Sequence, residues 1–106
     1  MLVAFSVAPA VAEDETGSVS RAVAAAIRVV RDSGLPNRTD AMFTTIEGDW
    51  DECLAVVKGA VDAVSAVSPR VSLVLKADLR PGFRGELSGK VERLERVLGD
   101  EDSLTR

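Results

Sequence analysis

The sequence predicts an α+β domain, and three observations carry the prediction. Strand-like alternation recurs in Leu2–Ala8, Thr44–Gly48 and Val71–Asp78. Apolar residues spaced by three and four mark helices after Ser18, after Asp49 and after Leu87. Glycine and proline separate nearly every segment, so the order reads strand, helix, strand, strand, helix, strand, helix.

Taken in order, Leu2–Ala8 reads as a buried central strand. It has no positively charged start and its apolar run is short, which argues against a secretory signal. Val3, Phe5 and Val7 share one face, Ala4, Ser6 and Ala8 the other. Pro9 ends it, lacking an N–H for a ladder. The following loop carries Glu13, Asp14 and Glu15, a solvated acidic stretch favouring a helix N-terminus.

Ser18 suits an N-cap for a first helix running to about Ser33. Val19, Ala22, Val23, Ala26, Ile27 and Val30 form its apolar stripe. Gly34 supplies a left-handed C′ residue, and Pro36 blocks continuation. Asn37–Ala41 is short and polar, as edge strands are. After a turn at Met42-Phe43, the β-branched Thr44, Thr45 and Ile46 form the next strand.

Asp49 and Glu52 stand three apart, an aspartate form of the capping box. In the second helix Leu54, Val57, Val61 and Val64 form the expected core face, with Cys53 and Ala60 beside them. Cys53 reads as a small buried residue, having no basic partner in sequence. The strand Val71–Asp78 puts Val71, Leu73, Leu75 and Ala77 on one side. Ser72, Val74, Lys76 and Asp78 lie on the other, a half-apolar face that meets solvent, a ligand or another subunit. Leu87, Val91, Leu94, Val97 and Leu98 mark one side of a third helix capped by Gly99. The domain is thus 1–99, with an acidic tail over 100–106.

This order matches a ferredoxin-like split β-α-β sandwich: a four-stranded antiparallel sheet, two helices on one face and an extra C-terminal helix. The other sheet face is left bare, with Ala4, Ser6, Val74, Lys76 and Phe43 or Thr45 on it. The third helix or a second subunit is the expected cover.

Composition excludes several functions. With 106 residues the chain is one domain. It has no histidine and a single cysteine, which removes histidine-based acid–base chemistry, zinc constellations and a disulfide framework. A net charge of −4 opposes nucleic-acid binding, and Phe5, Phe43, Trp50 and Phe83 are too few for a base-stacking platform. An enzyme of acylphosphatase type needs an anion-cradling loop after the first strand. Here that loop is acidic and lacks arginine.

The series Ser6-x-x-Pro9, Ser18-Val19-Ser20-x-x-Val23, Asp32-Ser33-Gly34-Leu35, Met42-x-Thr44-x-Ile46-Glu47-Gly48 and Asp78-x-Arg80 resembles the small thiamine-binding protein family. The likeness spans Leu2 to Leu98, and the Met-x-Thr-x-Ile-Glu-Gly block is its most specific part. Phe43 stands where the family usually has glycine, and Ala22 where an aromatic is common. The resemblance implies a non-enzymatic cytoplasmic homo-oligomer, dimer or tetramer, that binds thiamine or its hydroxymethylpyrimidine part with no cofactor or membrane. Self-association through the open sheet face is implied with it. The expected ligand-binding residues are Ser6, Phe43, Thr44, Thr45, Glu47, Lys76 and Asp78. Glu47 would accept from the pyrimidine, Thr44 or Thr45 would satisfy a ring position, and Phe43 would stack. The alternative for Glu47 is an ion pair with Arg80 or Lys76; for the fold as a whole, it is a regulatory or scaffold module binding another metabolite or a protein.

Overall fold

The structure, a computed structural model, describes residues 1–10 and 19–105, with side chains through Glu101. The Ser18 cap and the acidic loop of Glu13, Asp14 and Glu15 lie outside the described residues.

The elements are β1 (Leu2–Pro9), α1 (Ser20–Asp32), β2 (Asn37–Thr39), β3 (Thr44–Glu47), α2 (Trp50–Ser65), β4 (Val71–Asp78) and α3 (Glu86–Thr105). They form the expected ferredoxin-like arrangement, a four-stranded antiparallel sheet ordered β2-β3-β1-β4. β1 lies inside the sheet, and its alternation sends Val3, Phe5 and Val7 into the core under α1 and α2. Ile46 from β3, Ala22, Ala26 and Val30 from α1, and Cys53, Val57, Ala60 and Val64 from α2 complete that core. Burial pushes the Cys53 thiol above its ordinary range, as befits an inert core residue.

Local chemistry places the ends of these elements. Asp49 accepts from the Glu52 amide at 2.8 Å while Glu52 accepts from the Asp49 amide at 3.0 Å, so the capping box closes both ways. Gly34 adopts φ 77° after Ser33 and turns the chain out of α1. Gly48 is needed for space: a Cβ there would sit 3.3 Å from both Cys53 Sγ and Leu35 Cδ1. Where α1 crosses α2, a Cβ on Gly59 would come within 3.0 Å of Val29 Cγ1, so the glycine permits the close approach that its sequence position suggested.

Two expectations are corrected. The buried face of α2 is turned relative to the expected one: Val56 is inside and Leu54 exposed, because Cys53, Val57, Ala60 and Val64 set the contact line against α1 and β1. α3 runs through Gly99 to Thr105. Gly99 does not take the left-handed conformation of a cap, and a glycine inside a helix costs only about 1 kcal/mol against alanine. The apolar side of α3 lies outside the core: Val91, Leu94, Val97 and Leu98 are all exposed.

Candidate functional site

The sheet register groups the expected site residues. On the face away from α1 and α2, Leu2 lies between Glu47 and Asp78, and in the next row Ala4 lies between Thr45 and Lys76. Arg38 extends the second row beyond Thr45. Ser6 pairs with Val74 one row further. Five of the seven expected residues, Ser6, Thr45, Glu47, Lys76 and Asp78, therefore share one face.

The other two stand apart. Thr44 points to the helix side, is buried, and lies with its Oγ1 3.3 Å from that of Thr39. Phe43 closes the four-residue turn after β2, where its carbonyl accepts from the Asp40 amide at 2.9 Å. Its ring lines a groove of about 220 Å³ with Met42, Val23 and Ile27, at the end of the sheet far from Glu47. It does not stack over the polar rows. The cause is the period of two: Thr45 and Glu47 share a face, and Thr44 must take the opposite one.

Glu47 has a partner that sequence spacing did not suggest. Its Oε2 accepts from the Glu86 amide at 2.8 Å and its Oε1 from the Leu87 amide at 3.3 Å. It thus caps the N-terminus of α3 across the sheet instead of pairing with Arg80 or Lys76. Glycines at 82 and 85, both at positive φ, swing the chain so that these amides meet the carboxylate. A carboxylate aimed at the exposed amides of a helix start is favoured by both hydrogen bonding and the helix dipole.

The first turn of α3 is pinned twice more. Arg93 grips Glu86 through two hydrogen bonds of 2.6 and 3.2 Å, and Lys90 reaches Asp78 at 2.5 Å. Arg93 holds the Glu86 carboxyl below the usual carboxylate range, and Lys90 does the same for Asp78. A depressed folded value means that the unfolded chain binds the proton more tightly. The stabilisation is therefore present above the ordinary carboxylate range and lost as pH falls through the lower folded values. Acid titration of far-UV circular dichroism should show helicity falling below about pH 4, and Arg93→Gln should flatten that limb.

Lys76 forms no ion pair among the described residues and stands exposed beside Thr45. The rows thus present an ammonium donor and two hydroxyls over a small apolar floor of Leu2 and Ala4. This can hydrogen-bond the edge of a polar heteroaromatic ring laid flat on the sheet. A second hollow of about 400 Å³ opens beside Glu47 between Gly48, Glu52, Phe83 and Arg84. The described residues contain no cluster of three or more His, Cys, Asp or Glu side chains that could hold a metal ion. No described helix is long and apolar enough to cross a membrane.

Fold and face together define a small α+β protein of the split β-α-β type, with a polar patch on the sheet face away from α1 and α2. The thiamine-binding protein family model matches residues 3–95, and the chain belongs to that family. A UPF0045 protein of Mycobacterium bovis is 57% identical over 99 residues, covering 92% of this chain and 94% of its own. One from Synechocystis is 37% identical over 82 residues, covering 76% of this chain and 68% of its own. Among solved structures, a hypothetical protein of Methanocaldococcus jannascii superposes with a TM-score of 0.78 at 32% identity, over 89% of this chain and 94% of that one. A candidate thiamine biosynthesis/salvage protein of Thermotoga maritima gives 0.73 at 26% identity, over 88% and 96%.

Proposed function

We propose that this protein binds thiamine or its hydroxymethylpyrimidine part, without chemistry, as a cytoplasmic homo-oligomer. The observation that carries the reading is the pair of adjacent rows, Glu47–Leu2–Asp78 and Thr45–Ala4–Lys76, on the sheet face away from α1 and α2, where the start of α3 engages Glu47 and Asp78 and leaves Lys76 exposed. Family membership supports the ligand class. Thr45 and Lys76 hydrogen-bond the aminopyrimidine edge, Ser6 satisfies a further ring position, and Leu2 and Ala4 support the ring plane. The free ammonium of Lys76 repels a thiazolium, so the pyrimidine end lies over that row.

Calorimetric titration with thiamine, and in parallel with hydroxymethylpyrimidine, tests this. Saturable binding at micromolar Kd, about −8 kcal/mol, is expected, with Lys76→Met weakening it at least about tenfold. No heat with either ligand from a folded oligomer would reject the reading. A second reading, a regulatory or scaffold module binding another metabolite or a protein, draws on one observation: both Glu47 oxygens are engaged by α3. It predicts that the titration is silent and that Lys76→Met changes nothing.

A further inference from the structure

The polar row that holds Lys76 is longer than the expected site. Thr45 pairs with Ala4 and Ala4 with Lys76, and the register of β2 adds Arg38 beyond Thr45. Arg38 shares the face of Thr45, because directly opposed antiparallel residues lie on one side of a sheet. In sequence, Asn37–Ala41 reads only as a short polar edge, so nothing local joins Arg38 to the site. The row runs Arg38–Thr45–Ala4–Lys76 across all four strands, with a long cationic side chain at each end. Those ends stand roughly 14 Å apart, three strand spacings of about 4.8 Å.

Charges at this face are unevenly matched. Three carboxylates lie here and each is engaged: Glu47 by the Glu86 and Leu87 amides, Asp78 by Lys90, and Glu86 by Arg93. Asp78 is the acid nearest to Lys76 along β4, and Lys90 takes it. Arg80 is stacked on Phe83, its guanidinium carbon 3.5 Å from the ring centroid. Arg38 and Lys76 differ from all of these. Both are exposed, and neither forms a hydrogen bond or ion pair with any described residue. The chain carries a net charge of −4, so two free cations in one row run against its overall balance.

We propose that this row selects a phosphorylated ligand, the phosphate monoester of the hydroxymethylpyrimidine, an assignment that rests on the ligand reading above and narrows it. The ring lies on Thr45 and Ala4 with its edge at Lys76, and the phosphate is held by Arg38. A guanidinium presents paired N–H donors in one plane, which fit two phosphate oxygens, and it stays charged throughout the physiological range. The hydroxymethyl arm is the position a phosphate esterifies, and it projects the anion away from the ring. Lys76 attracts the same anion at longer range, whereas it repels a thiazolium. Arg38 stands on β2, an outer strand, whose free side leaves room for the phosphate.

Calorimetry on the full chain compares hydroxymethylpyrimidine, its phosphate monoester and inorganic phosphate at one ionic strength. The monoester should bind at least about tenfold tighter than the alcohol, and inorganic phosphate far more weakly than either. Arg38→Gln should bring the two pyrimidine affinities together with an unchanged circular dichroism spectrum, the position being exposed. Arg38→Lys should keep part of the gap, since the charge remains without the fork. Added salt should narrow the gap in the wild type, because exposed charges are screened. Equal affinity for alcohol and monoester would overturn the inference and leave the ligand reading standing. A preference that survives Arg38→Gln would overturn it too, as would inorganic phosphate binding as tightly as the monoester. If neither pyrimidine binds, the ligand reading and the inference are rejected together.

Discussion

Replacing Phe5 with alanine is expected to remove about 3–5 kcal/mol of stability, more than any other truncation in this core. Phe5 is 2% exposed and sits on β1, between Thr44 of β3 and Leu75 of β4, beneath the two covering helices. Its ring can be replaced by nothing nearby, since Val3 and Val7 are stiff and already placed. Domains of this size are held by some 5–15 kcal/mol, so the variant spends a large share of the whole margin. Urea unfolding followed by circular dichroism should show the midpoint lowered by roughly 2 M with an unchanged slope. Phe43→Ala, at a ring 37% exposed in the β2–β3 turn, is the control and should shift the midpoint little. A Phe5→Ala protein as stable as the wild type would contradict the core described here.

That core was legible because short-range rules act alone there. Period two placed Val3, Phe5 and Val7 inward, and the Asp49–Glu52 box named the start of α2. β4 was equally clear as a strand, and its doubtful second face is indeed exposed. What failed depended on contacts distant in sequence. Leu54 and Val56 are both plausible inner residues of α2, and only the crossing with α1 at Gly59 selects the second. The apolar side of α3 was legible as a stripe, but a stripe alone does not name what it packs against. The expected site was half visible: alternation puts Thr45 and Glu47 together but forces Thr44 away, and no local signal connects Glu47 with amides 39 and 40 residues later.

Glu47→Ala is therefore expected to act on α3 before it acts on any ligand. The substitution leaves the Glu86 and Leu87 amides without their acceptor at a buried junction, and a lost cap of this charged kind costs about 2 kcal/mol. Because α3 is anchored through that first turn, the cost falls on a helix with little other packing in the single chain. Such a helix is marginal by itself. Hydrogen exchange should show α3 amides losing protection while β1 and β3 keep theirs. Glu47→Gln separates the roles. The amide oxygen still accepts from one α3 amide, so most helicity should survive, whereas a ligand that needs a charged acceptor loses affinity with either variant. If Gln preserves both helicity and affinity while Ala destroys both, the carboxylate serves the ligand only by holding α3 in place. If Ala leaves α3 protection untouched, Glu47 is not its anchor.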